Sequence, residues 1–308
     1  MYVSRSSPLD FLTYYFEKFT QHQLGQVLLV FWELLTQYLP YLILSVFISA
    51  FLAMFLTPKR LEKMFCFNRL GGIIIASLLG TISPLSSYAL IPFAGALTLL
   101  GLPIGAVSAF VLSTPLMNPT IFILTWRGLG WKMAVARFIS TVLIGIISGV
   151  LADFIFANKV VIRENTALKL PTNKAFWTYV LAMTRYISKA FLWALSLASI
   201  IKVFLKPELV IGFLGVDKPW SIPLAALLGV PFYTCGGATI PIVSAMIDLG
   251  MSQSAALAFF IAGPATNLPN ISAVAWTFNW YYLVFYLVIS LSLAVFSGYF
   301  YNLLLVFM

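Results

Sequence analysis

The residues of this chain whose types and spacing could do chemistry are uncharged hydroxyl and amide side chains placed beside prolines inside otherwise apolar sequence. Four such segments stand out: S-P-L-S-S at 83–87, S-T-P-L-M-N-P at 113–119, F-Y-T-C-G-G-A-T-I-P at 232–241 and G-P-A-T-N-L-P-N at 263–270. Ser83-Pro84, Thr114-Pro115 and Asn118-Pro119 each place a capping side chain directly before a proline, the order that opens a helix. Asn267-Leu268-Pro269-Asn270 offers a similar arrangement. A helix start exposes N–H groups and a partial positive charge, so several starts converging in one place would favour an anion or an electron-rich atom. The candidate contacts are Ser83, Ser86, Ser87, Thr114 and Asn118 in the first half of the chain and Thr234, Cys235, Thr266, Asn267 and Asn270 in the second. Pro84, Pro92, Pro115, Pro119, Pro241, Pro264 and Pro269 are the expected hinges or breaks.

Other chemistries lack their groups. None of the four segments holds a carboxylate, and the one histidine, His22, lies near the N-terminus. There is no H-E-x-x-H, G-x-S-x-G or G-x-x-x-x-G-K-[ST] pattern, which removes the usual bases for metal hydrolysis, acyl transfer and ATP hydrolysis within this chain. Cys66 and Cys235 are far apart, so neither a disulfide nor a metal cage is expected. The expectation is no catalytic residue, no metal and no cofactor. An intramembrane enzyme is disfavoured, and a non-transporting scaffold is the alternative reading, although it leaves the recurring breaks unexplained.

What must position these residues follows from composition. The chain has 308 residues, 61% hydrophobic and 9% charged, with a mean hydropathy of +1.00, whereas soluble domains carry about 25% charged residues. A bilayer needs about 20 apolar residues per spanning helix, so roughly eight spans would use nearly the whole length. The fold class is therefore an all-α polytopic membrane protein with the lipid bilayer as its partner. The net charge of +9 sits in short clusters between apolar stretches, which fits orientation by the positive-inside rule rather than nucleic-acid binding.

Residues 1–26, with Phe11, Tyr15 and Phe19 on one helical face, predict an interfacial amphipathic helix. Residues 27–157 form a first membrane repeat, 158–176 a polar linker and 177–308 a second repeat. The strongest spans are Val27 to Leu56 and the uninterrupted Trp131 to Phe156, while the stretches at 70–100 and 103–127 are each broken in the middle. Sliding the chain by 149 residues pairs 76–121 with 225–270 without a gap, with 15 of 46 positions identical, far above the roughly four expected by chance for a non-repeating chain. Pro92/Pro241, Pro115/Pro264 and Asn118/Asn267 are among the identities. Basic clusters at 59–69 and 159–185 slightly favour inverted repeats with one re-entrant stretch; Arg127, Lys132 and Arg137 favour eight crossings in parallel repeats.

P-L-S-S-Y-A-L-I-P (84–92), F-Y-T-C-G-G-A-T-I-P (232–241) and A-F-F-I-A-G-P-A-T-N (258–267) resemble the bacterial predicted-permease family that includes the organoarsenical efflux permeases. The resemblance covers about residues 30 to 300 and implies a multi-pass permease of the bacterial cell (inner) membrane. Arsenical-exporting members typically carry P-L-C-S-C in the first half. Here Ser86 and Tyr88 occupy the two cysteine positions, which leaves Cys235 as the sulfur contact.

Ionisable residues avoid the span centres: Arg127, Lys132, Arg137, Asp153, Lys202 and Asp248 fall near expected ends, where snorkelling makes them cheap. Glu33 lies further in and is a candidate for coupling. Paired interrupted segments are the sequence pointer to a transporter site. The expected function is a permease moving a small, anionic or thiophilic solute through a midplane site between two repeats.

Overall fold

The computed structural model describes residues 23–53, 68–83, 102–156, 176–216, 218–230 and 237–307. The expected amphipathic helix, most of the polar linker, Pro84, Ser86, Ser87, Pro92, Thr234 and Cys235 lie outside the described residues. Among the described residues every regular element is helical: α1 (Gln23–Ala53), α2 (Arg69–Ile82), α3 (Ile104–Ser113), α4 (Pro119–Leu129), α5 (Trp131–Phe156), α6 (Phe176–Phe204), α7 (Pro207–Leu214), α8 (Ser221–Gly229), α9 (Thr239–Asp248), α10 (Gln253–Thr266), α11 (Leu268–Thr277) and α12 (Trp280–Phe307).

Local chemistry sets many of these ends. Asn68 accepts the Gly71 N–H at the start of α2, and Ser252 accepts the Ala255 N–H at 3.1 Å at the start of α10. Such caps satisfy donors that a helix start otherwise leaves orphaned. Gly130 (φ +87°) separates α4 from α5, and Gly250 (φ +104°) stands between α9 and α10. Both positions need the left-handed backbone that glycine adopts without steric cost.

Two three-helix groups carry the packing: α2, α3 and α5 in one, α8, α10 and α12 in the other. Close approach depends on small residues. A Cβ on Gly149 of α5 would stand 2.7 Å from the Gly105 carbonyl oxygen, 2.7 Å from Ile73 Cγ2 and 3.0 Å from Ala109 Cβ. A Cβ on Gly298 of α12 would stand 3.0 Å from the Ser254 carbonyl oxygen, 2.5 Å from Ile222 Cγ2 and 3.2 Å from Ala258 Cβ. Helices in lipid gain little from hydrophobic exclusion, so contacts of this kind hold them together by close packing.

The two groups meet where α5 packs on α10 and α12. There Tyr282 donates a 2.9 Å hydrogen bond to Ser108 Oγ, and Phe156 stacks with Tyr282 and Phe285. A further layer is formed by α1 on α6, with α4 and α9 beside them. Phe154, Trp193 and Tyr281 are 85%, 79% and 75% exposed. Large apolar side chains turned outward on long helices fit a lipid surface, not water.

Candidate functional site

The break between α3 and α4 is built from Thr114 to Pro119. Thr114 is not a helix start, as its position before Pro115 predicted; it is the C-terminal residue of α3, with helical dihedrals. Its buried hydroxyl donates back to the Phe110 carbonyl at 2.7 Å. Ser83 is likewise the C-cap of α2, its N–H donating to the Gly80 carbonyl. The sequence rule fails at both because a hydroxyl can bond one turn backwards as readily as it caps forwards. The true start is Asn118. Its extended backbone places Oδ1 2.8 Å from the Ile121 N–H, with Pro119 in the first turn.

The break between α10 and α11 uses the same device. Asn267 Oδ1 accepts the Asn270 N–H at 2.9 Å, with Pro269 in the first turn. Pro264, expected as the break, lies inside α10, which continues to Thr266. Thr266 donates to the Ala262 carbonyl at 2.7 Å, and Tyr286 donates to the Ala265 carbonyl at 2.9 Å. These bonds hold the last turn of α10 together although the ring of Pro264 removes one backbone donor, so the chain leaves the helix at Asn267. Pro241 sits in the first turn of α9, where a missing N–H costs little.

These starts offer an anion less than the sequence implied. In each first turn one N–H is absent at proline and another is held by the asparagine cap. Charge is supplied instead by a residue that snorkelling arguments misplaced. Arg137, in the second turn of α5, is 0% exposed. Nη1 donates to Thr125 Oγ1 of α4 at 3.2 Å, and the guanidinium carbon lies 4.4 Å from the centroid of the Phe260 ring of α10. Arg137 faces the neighbouring helix group, not lipid. The one sequence signal for it was a positive charge on an otherwise apolar helix, whose facing was not legible.

The remaining ionisable residues behave more as expected. Arg127 and Lys132 are exposed. Lys202 pairs with Asp248 at 2.9 Å, and Arg69 with Asp153. Glu33 is exposed on α1.

A cavity of about 420 Å³ opens beside Asn118, lined by Thr81, Met117, Pro119, Phe122 and Phe138 among others. Its wall belongs to α2, α4 and α5. Asn118 and Pro119 are the candidate residues on it; Pro264, Thr266, Asn267 and Asn270 form a separate buried group at the other break. The two groups are connected through α5, whose Arg137 reaches Phe260 one turn before Pro264.

Helices long and apolar enough to cross a bilayer (α5 and α12), outward apolar side chains and broken helices between them define a helical membrane protein. The chain belongs to the predicted permease family ArsP_1, whose profile matches residues 23–303. It is 21% identical over 259 residues to a "putative two-component membrane permease complex subunit" of Streptococcus mutans, covering 80% of this chain and 85% of that protein. It is 25% identical over 142 residues to the "UPF0718 protein YcgR" of Bacillus subtilis, covering 46% of each. A shorter match, 25% over 80 residues, is to a UPF0718 protein of Methanocaldococcus jannaschii, covering 26% of this chain and 22% of that one. No solved structure matches.

Proposed function

We propose that this membrane permease is a multi-pass protein of the bacterial cell membrane built from two homologous halves, and that it moves a small anionic solute past the two asparagine-capped breaks. The observation that carries the reading is the equivalence of Asn118 and Asn267. They are 149 residues apart, and each accepts the N–H three residues on at the head of a proline-bearing helix within a broken stretch. Irregular backbone at membrane depth is tolerated where protein or a water-filled cavity satisfies it, and paired breaks are a transporter's binding-site pattern.

The two-half organisation is supported by packing as well as by sequence. Gly149, Ile73, Gly105 and Ala109 become Gly298, Ile222, Ser254 and Ala258 on adding 149, and the two glycines meet those three neighbours in the same way. Helices α2, α3, α4 and α5 correspond at that offset to α8, α10, α11 and α12. An anionic solute is supported by the buried guanidinium of Arg137 between the halves, since an intramembrane cation is expensive to keep unless it has a task. Ser86, Ser87, Thr234 and Cys235 complete the proposed contact set, Cys235 for a thiophilic solute. The relative named as one subunit of a two-component complex supports a second polypeptide as partner.

The test is solute flux in liposomes with Asn118→Ala and Asn267→Ala made singly. Each is expected to lower uptake and weaken apparent affinity; normal uptake with unchanged affinity in both variants sinks the proposed site.

A further inference from the structure

Asn270 is buried to 1% exposure in the third position of α11. Its amide reaches back over the break: Nδ2 donates to the Pro264 carbonyl at 2.5 Å, six residues earlier. That bond fixes which end of the amide is which, because a carbonyl can meet only the NH2 side. The other end, Oδ1, has no hydrogen-bond donor among the described residues. A buried acceptor left unmatched costs free energy, so it calls for an explanation.

The capped helix start does not require this amide. The bond that opens α11 uses the backbone N–H of Asn270, and the equivalent bond that opens α4 uses the N–H of Ile121, the residue 149 positions earlier. An apolar side chain therefore serves the same structural position in the other half. What Asn270 adds is an oxygen, held at the oxygen-rich C-terminal end of α10.

We propose that Asn270 Oδ1 is a ligand of a monovalent cation site, filled by Na⁺, at the break between α10 and α11, with carbonyl oxygens of the last turn of α10 as its neighbours. Carbonyls at the C-terminal ends of broken helices are the usual donors for coupling ions in membrane transporters. The segment 263–270 contains no carboxylate, and among the described residues no group of three His, Cys, Asp or Glu could hold a metal ion. Neutral oxygens alone favour a singly charged ion over a divalent one. Opposing donors are few: Pro269 has no N–H, and that of Asn270 is already taken by Asn267. The inference rests on the reading of the breaks as the permease's working region, and it gives that region a co-transported ion. Arg137, on the Phe260 side of the same helix, would repel Na⁺ until an anion is bound. That is a physical route to joint loading.

The experiment uses the full-length purified chain. Thermal unfolding is followed in NaCl, KCl and choline chloride at equal ionic strength, alongside equilibrium binding of radioactive Na⁺. Na⁺ is expected to raise the midpoint saturably, with about one ion bound per chain, because a ligand of the native state stabilises it. Asn270→Ile, which copies the residue of the other half, and Asn270→Ser are each expected to weaken Na⁺ binding by about tenfold or more. Asn118→Ala is expected to keep it, so loss of solute transport and loss of ion binding are separately read. Unchanged Na⁺ binding in both Asn270 variants overturns the proposal. So does a wild-type protein that responds equally to Na⁺ and choline, which would leave Oδ1 bonded to a buried water only.

Discussion

The guanidinium of Arg137 lies 4.4 Å over the ring of Phe260, so that a cation of α5 and an aromatic face of α10 join the two helix groups in a fully buried contact. Such a contact is worth about 2 kcal/mol when desolvated. Replacing Phe260 by Leu keeps apolar volume and removes the ring's quadrupole. It is expected to destabilise the protein by about 1–2 kcal/mol, read as a lower unfolding midpoint in detergent.

Charge and shape at Arg137 separate in two variants. Arg137→Lys keeps a positive charge but loses the planar stack and the fixed fork of donors. Arg137→Met keeps the stem without charge. If the guanidinium meets an anionic solute, Met should abolish flux while folding is retained, because removing a buried charge is often neutral for stability. Lys should keep partial flux with weaker affinity. Equal flux in both variants and wild type would remove Arg137 from the pathway.

Asparagine at 118 has two duties that serine divides. Asn118→Ser retains a capping oxygen, so stability should stay within about 0.5 kcal/mol, whereas Asn118→Ala should cost about 1 kcal/mol. If the amide contacts solute, Ser and Ala should lower transport alike although their unfolding midpoints differ. Flux that tracks stability instead would make Asn118 a cap only.

The matched glycines give a test of the two-half architecture. Gly149→Ala and Gly298→Ala each push a Cβ into a carbonyl oxygen and an isoleucine methyl. Each is expected to destabilise by about 1–3 kcal/mol through overpacking. The double variant should be additive within about 0.5 kcal/mol, since the sites lie in different helix groups without a shared partner.

The Lys202–Asp248 pair, with side chains 34% and 48% exposed, should contribute little by comparison. Lys202→Gln is expected to change stability by less than about 1 kcal/mol. A larger loss would show that the pair is shielded from water in the native membrane.

Sequence by itself determined what depends on contacts a few residues apart. The bounds of α5 coincide with the uninterrupted span expected from Trp131 to Phe156, because an apolar run without glycine kinks or prolines has no other way to satisfy its backbone in lipid. The cap at Asn118 was legible for the same reason, since the bond to Ile121 closes within one turn. Local rules misled where two local bonds compete. At Thr114 the backward bond to Phe110 ended a helix that the Thr-Pro pair was expected to open, and at Pro264 side-chain donors from Thr266 and Tyr286 carried α10 past its proline.

Tertiary structure alone decided which way a side chain faces. Arg137 would be a cheap snorkelling charge on a lipid-facing stripe of α5; packed against α10 it is a buried cation, and nothing in its neighbours along the chain distinguishes the two. The same holds for Asn270, whose sequence neighbours predict a helix start but not that its amide turns back on Pro264 and leaves an oxygen facing the break. Burial and unmatched polarity are properties of what a distant helix covers, which is why the chemistry of this permease emerged only once its helices were assembled.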